Sequence, residues 1–265
     1  MLWIIESAVF DAEYQDRMTK AIRSAGHDVR EWSDDWWADG PPLISAPVLF
    51  HGSLGNAAAI KERLDTWRPG AYCDVSAFSC AAWYPSASPW LLHRRFEILS
   101  VADFVAAPAS VFERLDIAGA AFVRPDSPLK PFSGRVLARG DVSLQALDHG
   151  FYYEDDQIPV VVAPVQRIGK EWRFVVVNRR LVAGSAYLAE GRRAMQAEVS
   201  GPAWRFAAEI AEAMPPPEPV YVLDVCEVEG ALRLIEINPF SGADLYACDL
   251  AAVVKAVSGE ALGHL

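Results

Sequence analysis

Asp224, Glu236 and Asn238 carry the oxygen donors that a hard cation selects, and they lie close together along the chain. They belong to Tyr221-Val-Leu-Asp-Val-Cys-Glu-Val-Glu-Gly-Ala-Leu-Arg-Leu-Ile-Glu-Ile-Asn-Pro239, two strand-like runs flanking a Glu-Gly-Ala turn. With a three-residue loop at Glu229–Ala231, Asp224 falls opposite Glu236 and Val222 opposite Asn238. Strand side chains alternate, so Asp224, Glu236 and Asn238 then share one face. Facing carboxylates in an apolar hairpin repel unless solvent or a cation neutralises them. Mg²⁺ suits such a set, because it prefers oxygen and completes its shell with waters and phosphates. Two other readings stay open: the face is simply solvated, or a two-residue loop moves Asp224 opposite Ile235.

Two further stretches carry charge of the opposite sign. In Phe122-Val-Arg-Pro-Asp-Ser-Pro-Leu-Lys-Pro-Phe-Ser-Gly134, Arg124 and Lys130 flank a proline-stiffened loop. Arg grips phosphate bidentately and Lys acts as a point charge, so the loop suits a polyphosphate; an Arg124–Asp126 surface pair is the plainer reading. In Val160-Val-Val-Ala-Pro-Val-Gln-Arg-Ile-Gly-Lys-Glu-Trp-Arg173 an apolar strand runs through a turn into a second strand, on which Glu171 and Arg173 share a face. Backbone and apolar groups before the turn, at Ala163, Pro164 and Val165, could receive a flat base, and Arg173 could reach phosphates. An ordinary surface ion pair between Glu171 and Arg173 is the alternative.

The elements that must position these groups follow from periodicity. Leu2–Ile5, Asp28–Trp32 and Pro47–His51 read as strands, with helices at Asp11–Ala25 and Asn56–Thr66 between and after them. That rhythm implies a small parallel sheet with helices over roughly residues 1–90. Pro85 and Pro89 suggest a linker, and Trp90–Ala106 reads as a helix. Strands follow at Ala121–Arg124, Ser133–Leu137, Ile158–Val165, Trp172–Val177, Arg180–Tyr187, Val220–Val228 and Leu232–Ile237. Helices are expected at Ser143–Leu147 and Ala203–Met214, and a last one from Ala243 through Ala256. Trp32, Trp36 and Trp37 form an aromatic loop whose expected role is packing, with an acceptor pocket as the other possibility. His27, His51, His93, His149 and His264 are expected to be structural or surface residues.

Composition narrows the partners. The 265 residues are 52% hydrophobic with a net charge of −11, which is globular, and an acidic surface opposes nucleic acid. The four cysteines form no Cys-x-x-Cys pair, and no apolar run approaches the ~20 residues of a membrane helix. The N-terminus lacks a basic leader segment. These features lead to the expectation of a reduced, cytoplasmic protein with neither nucleic-acid nor membrane partners.

Taken in chain order, the three segments resemble the ATP-grasp superfamily over most of the chain, with Glu236-Ile-Asn-Pro239 the most recognisable piece. The match is closest to a compact bacterial and phage-associated clade marked by two arginines and a lysine, here Arg124, Lys130 and Arg173. The resemblance implies an α/β and α+β ATP-grasp fold. Its small N-terminal α/β (pre-ATP-grasp) domain would span 1–90, and an ATP-grasp domain with two α+β lobes clasping ATP would span 91–265. It implies ATP and Mg²⁺ or Mn²⁺ as cofactors. Asp224, Glu236 and Asn238 would bind the metal, and Lys130, Ala163, Pro164, Val165, Glu171 and Arg173 the nucleotide. Arg124, Lys130 and Arg173 would be the catalytic charges.

Ser241, Asp244 and Tyr246 follow the Glu-Ile-Asn-Pro piece, with Gly242 permitting close approach of a ligand. This segment either borders the acceptor site or caps the last helix through Ser241. The implied activity is ATP-dependent carboxylate-amine ligation through an acylphosphate, joining a small-molecule or peptide acid to an amine. A phosphotransferase and a non-catalytic nucleotide-binding module are the alternatives. Oligomeric state is left open.

Overall fold

The computed structural model describes residues 1–147, 156–189 and 192–263; His149 and His264 lie outside them. By compactness the chain divides into two units, Met1–Asp74 with Gly169–Leu265, and Val75–Ile168. This differs from a division at residue 90, and the reason lies in the core: Trp3, Leu49 and Tyr72 are buried in one cluster with Val175, Val222, Val253 and Val257.

The first unit begins with β1 (Leu2–Ile5), α1 (Ala12–Ser24), β2 (Asp28–Glu31), α2 (Trp36–Asp39), β3 (Val48–His51), α3 (Leu54–Arg63) and the short β4 (Pro69–Gly70). The strands form a parallel sheet in the order β2-β1-β3-β4, as the sequence rhythm predicts. Asp11 caps α1 by accepting from the Tyr14 amide, and Tyr14, Met18 and Ile22 make its buried stripe. Ser53 caps α3, which starts two positions before the expected Asn56. Trp32 meets Trp36, Phe50 and Trp67 edge to face, so the tryptophan loop is packing.

The second unit contains α4 (Cys80–Ala87), β5 (Glu97–Ser100), α5 (Val101–Ala106), α6 (Pro108–Arg114), β6 (Ala120–Pro125), β7 (Arg135–Ala138), α7 (Leu144–Leu147) and β8 (Pro159–Pro164). Its sheet is antiparallel in the order β5-β8-β6-β7. Two expectations fail here. Pro85 lies inside α4, where Cys80, Trp83, Tyr84 and Ala87 bury one helical stripe and Ser79 caps the start, outweighing the proline. Trp90–Ala106 is not one helix, because Glu97–Ser100 pairs with β8 and Ser100 caps a new helix by accepting from the Asp103 amide.

The chain then returns to the first unit with β9 (Glu171–Val177), β10 (Arg180–Ala189), β11 (Arg192–Ala197), α8 (Pro202–Ala213), β12 (Val220–Val228), β13 (Ala231–Pro239) and α9 (Leu250–Ala261). These strands build an antiparallel sheet in the order β11-β10-β9-β12-β13. One face, with Phe174 against Trp204, is covered by α8. The other face is divided along the strands. Val175, Val177, Ala183, Val220 and Val222 join the core with α9 and the N-terminal sheet, whereas the positions beyond them are polar. The last helix starts at Leu250 instead of Ala243, because Asp249 is its cap, accepting from the Ala251 and Ala252 amides. Among the described residues no helix is long and apolar enough to cross a membrane.

His51 ends β3 fully buried, with Nε2 2.9 Å from the Tyr14 hydroxyl and its ring stacked 5.0 Å from Phe10. Burial pulls its pKa from 6.5 down to about 4, and the Phe240 backbone only partly opposes this. The folded pKa lies below the unfolded one, so the unfolded chain takes the proton first. The contribution of His51 is therefore complete above pH 6.5 and is lost as pH falls toward about 4, a swing of about 3 kcal/mol. His51→Gln is expected to flatten the acid limb of a melting-temperature profile over that window; an unchanged profile contradicts the assignment.

Candidate active site

The β12–β13 hairpin turns through a two-residue loop, with Glu229 and Gly230 both left-handed at φ 52° and 77°. A two-residue loop alone would set Asp224 opposite Ile235. Instead the register shifts between Val225 and Asp224: Val225 pairs with Leu234, Asp224 with Glu236 and Val222 with Asn238. Ile235 is the extra residue of a β-bulge. The expected pairing therefore arises through a shorter turn and a compensating bulge.

On its other side Asp224 is opposite Arg173 of β9, so Arg173, Asp224 and Glu236 form one rung across three strands. The contact is bidentate: Arg173 donates from Nε to Asp224 Oδ1 at 2.8 Å and from Nη2 to Oδ2 at 2.7 Å. Asp224 is wholly buried and Arg173 nearly so. Arg173 Nη2 is also 3.9 Å from Glu236 Oε1, and Nη1 donates to the Asp244 carbonyl at 2.9 Å. Its guanidinium lies 5.1 Å from the Tyr246 ring and 5.9 Å from Tyr187, and those rings stack at 4.7 Å. Tyr246 holds this place with φ 50°, its amide donating to Asp244 Oδ1.

Burial opposes the charge on Arg173, but the Asp224 carboxylate overrides it and holds the guanidinium well above its ordinary range. Glu171 is not the partner of Arg173: it accepts from the Tyr187 hydroxyl at 2.7 Å, and burial raises its pKa despite that bond. Burial likewise raises Tyr187, with Asp224 and Glu171 adding to the effect. In place of the expected surface ion pair, Glu171 and Arg173 belong to a buried network.

Asn238 is buried, and neither its amide nitrogen nor its amide oxygen has a hydrogen-bond partner among the described residues. An orphaned carboxamide two residues from Glu236 on the same strand face is a donor set of the kind Mg²⁺ selects. Among the described residues no three His, Cys, Asp or Glu side chains converge on a metal position. The candidate set is two carboxylates and a carboxamide, one carboxylate already shared with arginine.

Ser241 is fully buried, and its hydroxyl accepts from the Tyr72 amide at 2.9 Å while its carbonyl accepts from the Gly52 amide at 2.8 Å. It ties the end of β13 to the N-terminal segment and does not cap α9. A Cβ on Gly242 would come within 2.3 Å of Leu54, so that glycine serves chain packing. Asp244 and Tyr246 line an adjoining cavity together with Phe10, Tyr14, Arg17 and Arg193. Sequence reasoning did not single out those last four residues. They come from α1, the segment before it and a strand whose Arg-Arg-Ala-Met-Gln-Ala run lacks β-pattern.

Arg124 and Lys130 belong to the second unit. Arg124 is buried on β6, and Lys130 is exposed with φ 49°. Asp126 Oδ1 accepts from the Ala81 amide at 2.7 Å. Ala163 and Pro164 close β8 opposite Phe122 and Ala121, and Val165 follows them exposed.

A family model for the ATP-grasp domain, family 3 of the clade named for two arginines and a lysine, matches residues 66–257. The chain belongs to the ATP-grasp family. Solved structures share the fold of this ATP-grasp chain over nearly its whole length. The crystal structure of D-cycloserine synthetase DcsG superposes at TM-score 0.66 with 14% identity, covering 98% of this chain and 99% of that one. The macrocyclase MdnC bound with precursor peptide MdnA, from Microcystis aeruginosa MRC, superposes at 0.59 with 14% identity over 99% and 100%. The ATP-grasp ligase PsnB, complexed with minimal precursor, Mg and ADP, superposes at 0.58 with 12% identity over 98% of each chain. No curated protein matches the chain by sequence.

Arg173→Met leaves the Asp224 carboxylate buried without its partner, at an expected cost of about 3–5 kcal/mol in denaturant unfolding. Asp224→Leu strands the guanidinium in the same way. The double variant is expected to recover most of the loss, and simple additivity of the two single losses contradicts the pairing.

Proposed function

We propose that this chain is an ATP-dependent ligase that joins a carboxylate to an amine through an acylphosphate. The observation that carries this is the Arg173–Asp224–Glu236 rung with the orphaned Asn238 amide beside it. Family membership supports ATP as the co-substrate. The PsnB complex, which holds Mg and ADP on the same fold, supports the nucleotide and the cation. The substrates are read as a small-molecule or peptide acid and an amine.

Glu236, Asn238 and the outer lone pairs of Asp224 would hold Mg²⁺, with Asp224 kept in place by Arg173. When bound, Mg²⁺ draws charge from the phosphate oxygens during phosphoryl transfer. In that transfer the substrate carboxylate oxygen bonds to the γ-phosphorus as the β,γ-bridging P–O bond breaks, releasing ADP. The amine nitrogen then bonds to the acyl carbon, inorganic phosphate departs with the C–O bonding pair, and the amine proton passes to solvent. Arg173 contributes a fixed positive charge whose direction is set by Asp224, the Asp244 carbonyl and two rings. Arg124 and Lys130 are assigned to phosphate, and Ala163, Pro164 and Val165 to the adenine, on the family pattern.

Glu236 is only partly buried, so Glu236→Gln is expected to fold normally and to lower ADP formation about a hundredfold. Full turnover in this variant, measured by coupled ADP release, contradicts the assignment. Product formation that requires both an acid and an amine identifies ligation, whereas ADP formation without an amine points to phosphotransfer.

A further inference from the structure

The cavity beside the Arg173 rung has a volume of about 470 Å³, within the roughly 300–1,000 Å³ of small-molecule sites. Its walls come from the segment leading into α1, from α1 itself, from the β3–α3 junction, from β11 and from the segment after β13. Val9, Phe10, Leu54 and Met195 supply apolar surface.

The charged residues of the wall have an unusual property. Arg17 and Arg193 line the same space as Asp11, Glu13 and Asp244, yet among the described residues neither arginine makes an ion pair. Asp11 spends its Oδ1 on the Tyr14 amide and Asp244 its Oδ1 on the Tyr246 amide. Two guanidiniums and the Glu13 carboxylate are left facing one cavity in a protein whose net charge is −11. Opposite charges held apart around one space are complementary to a ligand that carries both signs.

We infer that this cavity binds a small zwitterion of free amino-acid type, its carboxylate on Arg17 and Arg193 and its ammonium on the Glu13 side. The inference rests on the ligase reading only in making that zwitterion a reaction substrate. Tyr246 is shared between the cavity wall and the aromatic support of Arg173, which brings a bound zwitterion up to the rung. The carboxylate would take charge-assisted hydrogen bonds from both guanidiniums, the kind of contact that planar bidentate recognition favours. The apolar wall would select the side chain.

The test is calorimetric titration of the full-length protein with single free L- and D-amino acids, in the presence and absence of Mg-ATP. Each binder is then repeated as its N-acetyl and its carboxamide derivative. The expected result is saturable binding of at least one free amino acid, with capping of either end weakening it roughly ten- to a hundredfold. Arg17→Gln and Arg193→Gln are each expected to cause a similar loss. Both side chains are exposed, so these variants should keep their fold, with circular dichroism as the check.

Absence of binding by every free amino acid at millimolar concentration overturns the inference. Equal binding of free and doubly capped forms does so too. Mg-ATP binding is measured in parallel with the same protein. If Mg-ATP binds and no zwitterion does, the ligase reading stands without this pocket assignment. If a zwitterion binds and Mg-ATP does not, the pocket stands and the ligase reading falls.

Discussion

The bidentate contact between Arg173 and Asp224 is the interaction on which the site depends. A carboxylate buried at 0% exposure without a cation beside it would cost several kcal/mol. Arg173 removes that cost and is in turn held by the Asp244 carbonyl and two stacked tyrosines. The pair is electrically neutral, so the charge left on the rung is the one at Glu236. That division gives Asp224 the task of orientation and leaves Glu236 and Asn238 as the oxygen donors least committed to protein. It also makes the rung intolerant of single changes, since removing either member of the pair leaves the other buried and charged.

The fold arranges this by dividing one sheet face along its strands. Val175 and Val222 lie in the core with α9 and the N-terminal sheet, and the next same-face positions on those strands are Arg173 and Asp224. The apolar half therefore anchors the polar half. Ser241 extends the anchoring, because its backbone and hydroxyl bonds to Gly52 and Tyr72 clamp the chain just beyond β13. A Cβ at Gly52 would come within 2.4 Å of Glu6, so that close passage depends on glycine. The segment Asp244–Tyr246 then carries the site onward from the rung to the cavity.

Much of this was legible in the residues. β12 spans the expected Val220–Val228, and the Asp224–Glu236 pairing is present, although a shorter turn and a bulge at Ile235 offset each other to produce it. Local signals sufficed for the hairpin because its strands are adjacent in sequence. The Arg173–Asp224 pair was not legible, since it joins strands 51 residues apart whose neighbourhood only the complete sheet decides. The same limit hid the cavity, whose walls come from five segments. Helix α4 escaped notice because Pro85 reads as a breaker, and Trp90–Ala106 read as continuous because Ser100 ends one strand and caps the next helix within a single residue.

The cation is where the account is most exposed to test. Mn²⁺ in place of Mg²⁺ gives a paramagnetic signal that is lost on binding, so a titration with a non-hydrolysable ATP analogue reads metal affinity without turnover. Asn238→Ala removes the orphaned carboxamide and leaves the Arg173–Asp224 pair untouched. A weakening of the ternary Mn²⁺ complex by roughly tenfold, with the nucleotide affinity measured without metal unchanged, is the expected result. Undiminished Mn²⁺ affinity in both Asn238→Ala and Glu236→Gln would contradict the central claim that this rung holds the cation.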